Sequence, residues 1–268
     1  MIRPAPIGVF DSGVGGLTVL RELRRALPCE DFIYLGDTAR LPYGTKSAAT
    51  VVRYSVQCAA ALLARGIRCL VVACNTASAS ALDALQAQHP GLPVIGVIEP
   101  GAAAAVAAST SQHIAVIATE GTIAGGAYTA AIRRLNGRAR VTAIACSVFV
   151  ALAEEGWTDG PIVEAAARRY LDPLFRTENP PDTLVLGCTH FPVLGAAIRA
   201  VLPKGVVLVD SAATAAAVVA RQVCASGDSG AAGRVTWLAT DGAARFARVG
   251  SLFLGEPLRA SAVEIIDL

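Results

Sequence analysis

Short runs of Val, Ile, Leu and Phe recur along this chain, and between them lie longer stretches where Ala, Leu and Arg return at helical spacing. The runs are apolar throughout instead of alternating with polar residues. That pattern belongs to strands covered on both faces, as in a parallel sheet between layers of helices. It predicts strands at Ile7–Phe10, Phe32–Leu35, Leu70–Ala73, Val94–Val97, Ile114–Ala118, Val141–Ala145, Leu184–Leu186, Val206–Val209 and Val235–Leu238. Helices fill the intervals, with long ones at Gly15–Leu27, Ser47–Arg65 and Pro161–Phe175. Pro28, Pro42, Pro90, Pro93 and Pro203 mark turns, and Asn179-Pro180-Pro181-Asp182 reads as a loop.

The pattern repeats. Cys69-Leu-Val-Val-Ala-Cys74-Asn75-Thr76 runs into a helix-like stretch from Ala77 to Gln88, and Thr183-Leu-Val-Leu-Gly-Cys188-Thr189-His190 runs into another from Val193 to Leu202. Each is an apolar strand with a Cys at its carboxyl end, then a hydroxyl residue and a helix start. Ile7 to Ser12 likewise matches Ile114 to Thr119, and Pro93 to Val97 matches Gly205 to Val209, all in one order and roughly 110 residues apart. Short apolar strands also resemble one another by chance, but here the chemistry at their ends recurs too. The expected fold is α/β: two similar domains with central parallel sheets, related by internal pseudo-symmetry and facing each other across a cleft. Strand ends are where α/β folds place ligands. One thiol delivered to the cleft from each half suggests a paired acid and base.

Composition narrows the classes. Of 268 residues, 54% are hydrophobic, so a sizeable core is within reach. A net charge of +2 with no basic cluster leaves no footprint for nucleic acid. No apolar run approaches a membrane span, and no charged segment followed by an apolar one opens the chain, so a cytoplasmic protein is expected. Seven cysteines without a secretion signal argue against a disulfide framework. Cys29, Cys58, Cys69, Cys146 and Cys224 read as inert thiols without polar neighbours. With no C-x-x-C and three histidines, no metal site is expected; His89 and His113 read as surface or capping groups. Lys46 and Lys204 are the lysines, and both look like turn or helix-start residues, so no pyridoxal site, and no cofactor, is expected.

Five motifs then resemble glutamate racemases: Asp11-Ser12-Gly13-Val14-Gly15-Gly16-Leu17-Thr18, Gly36-Asp37-Thr38-Ala39-Arg40, Leu41-Pro42-Tyr43-Gly44, Ala73-Cys74-Asn75-Thr76-Ala77 and Gly187-Cys188-Thr189-His190-Phe191-Pro192. The similarity runs in the family's order from about residue 7 to about 215. Two departures are Ala118, where the family often has Gly, and Ala151, where it often has Pro.

The resemblance implies a cofactor-independent enzyme that supplies D-glutamate for bacterial peptidoglycan, acting on glutamate as a cytoplasmic homodimer. It implies a first domain of residues 1–97 with 209–268 and a second of 98–208. Cys74 and Cys188 would be the two bases, with Asp11 assisting Cys74, and His190, backed by Glu154, assisting Cys188. Asp11, Ser12, Pro42, Tyr43, Gly44, Asn75, Thr76, Thr119, Thr122, Thr189 and His190 would bind substrate. On the residues alone, Asp11 also reads as a turn acid and His190 as a capping histidine. The chemistry agrees with two thiols: racemisation takes the α-proton from one face and returns one to the other, and a helix amino terminus beside each Cys would help form the thiolate. A racemase for aspartate or another small acid, a non-catalytic amino-acid-binding protein, and a redox-active thiol pair are the other readings.

Overall fold

A computed structural model describes residues 4–223 and 232–268. The chain runs through β1 (Ile7–Asp11), α1 (Leu17–Ala26), β2 (Phe32–Gly36), α2 (Ala48–Leu63), β3 (Cys69–Val72), α3 (Asn75–Gln88), β4 (Val94–Gly96) and α4 (Ile98–Ala108). It continues through β5 (His113–Ala118), α5 (Glu120–Ala124), α6 (Ala127–Leu135), β6 (Arg140–Ala145), α7 (Val148–Glu154), α8 (Pro161–Phe175), β7 (Thr183–Gly187), α9 (Gly195–Val201) and β8 (Val207–Asp210). Helix α10 (Ser211–Gln222), β9 (Val235–Ala239), α11 (Ala243–Leu254) and β10 (Val263–Ile265) complete it.

Two separate sheets form, one in the order β10-β9-β2-β1-β3-β4 and the other β6-β5-β7-β8. All the strand pairs are parallel. The block β2-β1-β3-β4 therefore has the same order as β6-β5-β7-β8, each centred on the strand that opens its half. The repeat in the sequence is thus a repeat of topology. Central strands are apolar because helices cover both their faces: β1, β2, β3, β5 and β7 are buried along their whole length. The chain leaves the first sheet after β4, builds the second, and returns through α10 to β9. The two connecting helices, α4 and α10, pack against each other. The expected domain boundary at 208 falls inside β8.

Three readings of isolated residues differ from what the fold does with them. His113 is a buried strand residue, not a surface group: its ring nitrogens lie 2.9 Å from the Asn179 carbonyl and 2.9 Å from the Thr142 hydroxyl, so its polarity is satisfied inside. Cys58 does have polar neighbours, with its sulfur 3.8 Å from the Tyr43 hydroxyl and 3.8 Å from the Arg40 guanidinium. Cys224 lies outside the described residues. No helix among the described residues is long and apolar enough to cross a membrane.

Candidate active site

Both thiols arrive at the carboxyl ends of equivalent central strands, Cys74 after β3 and Cys188 after β7. Between them lies a small cavity of about 40 Å³. Its lining holds both cysteines with Ser12, Pro42, Tyr43, Gly44, Asn75, Thr76, Thr119, Thr122, Thr189 and His190. Every residue singled out in the sequence is there except Asp11 and Glu154, which stand one layer back. Val150 also lines it and carried no sequence signal, being one apolar residue of a helix.

Cys74 caps α3, and its sulfur accepts a hydrogen bond from the Ala77 amide at 3.4 Å. The Ser12 hydroxyl lies 3.6 Å away. Burial nonetheless pushes this thiol up to about 12, with the nearby Asp11 carboxylate adding to the effect. Asp11 ends β1, wholly buried, and accepts from the Gly13 amide at 2.9 Å and from the Thr189 hydroxyl at 3.4 Å. Its own carboxyl is raised by burial, against the opposing pull of His190 and the Gly16 and Gly13 amides.

Cys188, unlike Cys74, does not cap an α-helix, and the helix expected from Val193 begins later. Phe191–Leu194 forms a 3₁₀ turn first, with Pro192 supplying no N–H, and α9 begins only at Gly195. A histidine takes the place of the helix end. The His190 Nδ1 lies 3.8 Å from the Cys188 sulfur, and its Nε2 lies 3.1 Å from Glu154 Oε1. Burial works against the imidazolium, but hydrogen bonds to Cys188 and Glu154 outweigh it and push the ring up to about 10. Glu154 is correspondingly lowered, first by His190 and then by Arg245, whose Nη2 donates to Oε2 at 2.9 Å.

The rest of the cavity is made of neutral hydrogen-bonding groups from both halves. Thr76 of α3 meets Thr119 and Thr122 from the other half, and the three hydroxyls lie 3.0 Å from one another in a closed triangle. The Thr18 hydroxyl donates to the Thr189 carbonyl at 3.0 Å. Such close approach of two backbones needs glycine: a Cβ at Gly15 would lie 2.3 Å from the Thr189 hydroxyl, and one at Gly44 would lie 2.7 Å from the Thr119 side chain. The Tyr43–Gly44 turn is anchored from behind, where the Tyr43 hydroxyl bonds Asp37, a buried carboxylate also held by Arg40 and Thr240. Asp37 and Arg40 belong to a quoted motif, but their role behind the turn was not visible in it. The spacing of residues 37, 40, 43 and 58 shows no pattern until the loop folds.

A family model for Asp/Glu/hydantoin racemases matches residues 7–219. The chain belongs to this family. A glutamate racemase from Geobacter metallireducens is 52% identical over 256 residues, 94% of this chain and 93% of its own. A glutamate racemase isoform from Bacillus anthracis superposes with a TM-score of 0.91 at 34% identity, over 100% of this chain and 99% of that one. The glutamate racemase of Francisella tularensis, solved with D-glutamate, gives a TM-score of 0.88 at 35% identity, covering 98% of this chain and 97% of its own. These likenesses span both sheets and the cavity between them, so the racemase family accounts for the architecture as a whole, and the chain is an amino-acid racemase.

Proposed function

We propose that this racemase interconverts L- and D-glutamate by passing a proton between Cys74 and Cys188. The observation that carries the proposal is the convergence of two strand-end thiols from equivalent halves on one small cavity. One thiolate takes the α-proton: the Cα–H bond breaks, an S–H bond forms, and the electron pair spreads into the α-carboxylate. The S–H of the opposite thiol then breaks as its proton is delivered to the other face. Each turnover leaves the charge on the other sulfur, so the reverse reaction uses the same groups with roles exchanged.

His190, braced by Glu154, holds a positive charge beside Cys188; Ser12 and the Ala77 amide face the sulfur of Cys74. Asp11 acts on Cys74 through its charge. Thr76, Thr119, Thr122 and Thr189, with the Pro42-Tyr43-Gly44 turn, offer donors for two carboxylates. The two sheets with their helices form the two domains that close on the substrate, the second running from about residue 98 to the end of β8 at Asp210. The relatives' names support glutamate as the substrate, and the resemblance to glutamate racemases adds D-glutamate supply for peptidoglycan by a cytoplasmic homodimer.

The purified protein with no added cofactor is expected to interconvert the glutamate enantiomers, followed by circular dichroism, with EDTA leaving the rate unchanged. Faster turnover of aspartate than of glutamate would overturn the substrate, and a requirement for an added cofactor would overturn the mechanism.

A further inference from the structure

The backbone beside each thiol is held in a different way. Cys74 is placed by its own half: the Ala73 amide donates to the Phe10 carbonyl at 2.9 Å, and the sulfur itself caps α3. The backbone beside Cys188 is bound from the other half. The Thr189 carbonyl accepts from the hydroxyl of Thr18, a fully buried residue in the first turn of α1, at 3.0 Å. The Thr189 hydroxyl donates to Asp11 at 3.4 Å, so the segment from β1 to α1 grips one residue at both its carbonyl and its side chain. Gly15, between Asp11 and Thr18, lies against the same place: a Cβ there would stand 2.3 Å from the Thr189 hydroxyl and 2.5 Å from His190 Nδ1.

The Thr18 hydroxyl has one proton and two carbonyls in reach. Besides Thr189 it meets the Gly15 carbonyl of its own turn, at 2.9 Å. That carbonyl is already served by the Thr18 amide at 3.0 Å, so it loses little when the hydroxyl turns to Thr189. When the halves part, the proton falls back on Gly15 while the Thr189 carbonyl meets solvent, and neither group pays the penalty of a lost partner. A bond with a partner waiting on each side of the motion suits a contact made and broken in every cycle.

We infer that Thr18 is a positioning residue for Cys188: by taking the Thr189 carbonyl as the halves close, it sets the peptide beside the sulfur, and the second thiol reaches its working position only in the closed molecule. The inference rests on the two-thiol reading above and goes beyond it by giving the two sulfurs unequal dependence on closure. Cys74 is in place before the substrate arrives, and Cys188 is completed by the act of closing around it. The open form then lacks a matched acid and base, so an acid whose shape prevents closure is not racemised.

The test follows the α-hydrogen in heavy water by NMR, from each pure glutamate enantiomer, for the wild type, Thr18→Val, Thr18→Ser, Cys74→Ala and Cys188→Ala. Enantiomers have equal free energy, so any variant lowers kcat/KM equally in the two directions, and racemisation rates alone do not tell one thiol from the other. The ratio of deuterium in recovered substrate to product formed does. Thr18→Val keeps the shape of the side chain and removes its proton. It should lower racemisation about tenfold, the worth of one hydrogen bond, and raise that ratio severalfold for one enantiomer only, the one that Cys188→Ala still exchanges. There Cys74 still takes the proton, but delivery from Cys188 is slow, and the carbanion returns by the way it came, carrying solvent deuterium. Thr18→Ser keeps the proton and should bring both quantities to within about twofold of the wild type. A ratio unchanged, raised alike for both enantiomers, or raised for the enantiomer that Cys74→Ala exchanges would overturn the inference, because a residue that served the fold alone would not favour the Cys188 side. If Thr18→Val does not fold, Gly15→Ala decides: its methyl group pushes Thr189 and His190 from the same side and should give the same bias, and absence of the bias overturns the inference. If neither Cys→Ala variant exchanges a single enantiomer, the two-thiol reading itself has failed; if both do and Thr18→Val shows no bias, only the role of Thr18 has.

Discussion

Cys74 and Cys188 end equivalent strands, and yet opposite charges stand behind them. Behind Cys74 are burial and the Asp11 carboxylate, which keep it a thiol up to about 12 despite the helix end it caps. Behind Cys188 is the His190 imidazolium, held up to about 10 by Cys188 and Glu154. The repeat of topology supplied two sulfurs in matching places, and the local residues then gave them different surroundings.

The strongest way to break this comparison is to remove one sulfur at a time. Cys74→Ala and Cys188→Ala should each lower racemisation by roughly 10²–10⁴-fold, the worth of positioned acid–base catalysis, with the circular dichroism of the fold unchanged. In heavy water the wild type should deliver deuterium to the product enantiomer early while recovered substrate gains little. Each alanine variant should exchange the α-hydrogen of one enantiomer only, and a different one in each variant. Full racemisation by either variant would sink the division of labour.

The charge behind Cys188 can be weakened without touching a sulfur. Glu154→Gln leaves the buried His190 without its carboxylate and should cost about 3 kcal/mol of stability near pH 7. The sign follows from the folded value of the ring, which stands above its unfolded one of about 6.5. The His190 contribution is complete below about 6.5 and is lost as the pH rises through about 10. Urea unfolding of both proteins should therefore show the gap between wild type and Glu154→Gln narrowing as the pH approaches 10. Arg245→Ala, which removes a half-exposed partner of the same carboxylate, should cost no more than about 1 kcal/mol. A pH-independent gap would show that Glu154 supports the fold without supporting the imidazolium.

The smallest effect sharpens the comparison from the substrate side. Thr76→Val removes a hydroxyl that serves carboxylate binding whichever sulfur acts, so KM should rise about tenfold for both enantiomers alike, within the range for a lost bond to a charged group. A rise for one enantiomer alone would place Thr76 with one thiol instead of with the shared substrate.

Much of this site was readable before folding because its chemistry sits on the loudest local signals. A continuous apolar strand ending in Cys, Asp or Thr and followed by a helix start identifies Cys74, Cys188, Asp11 and Thr119 from a few neighbouring residues. Short or long-range features were not readable. Strand β10 is three residues with Glu264 in its middle, paired with β9 alone, and so offers no pattern. His113 looks polar in sequence because its partners Thr142 and Asn179 arrive from other segments. Tyr128 and Arg245 looked like ordinary helix residues. They reach the site through contacts 53 and 91 residues away in the chain. The helix expected at Val193–Leu202 begins two residues later, at Gly195, because Phe191–Leu194 forms a 3₁₀ turn first.

The two sheets share no strand, and this has a consequence for how glutamate gets in. A cavity of about 40 Å³ has room for a few waters at most, so the halves must part to admit an amino acid. No ladder hydrogen bond opposes that motion, since each sheet is complete in itself. What resists it includes side-chain bonds across the gap: the threonine triangle, Asn75 to Tyr128, Thr18 to Thr189, and Glu154 to Arg245. Several of these join groups that the substrate would itself engage. The latch of the empty protein and the grip on its ligand are thus largely one set of groups, so a substitution that loosens the grip also loosens the latch. Faster admission and weaker retention should then appear together, and measured affinity will understate the change in either rate.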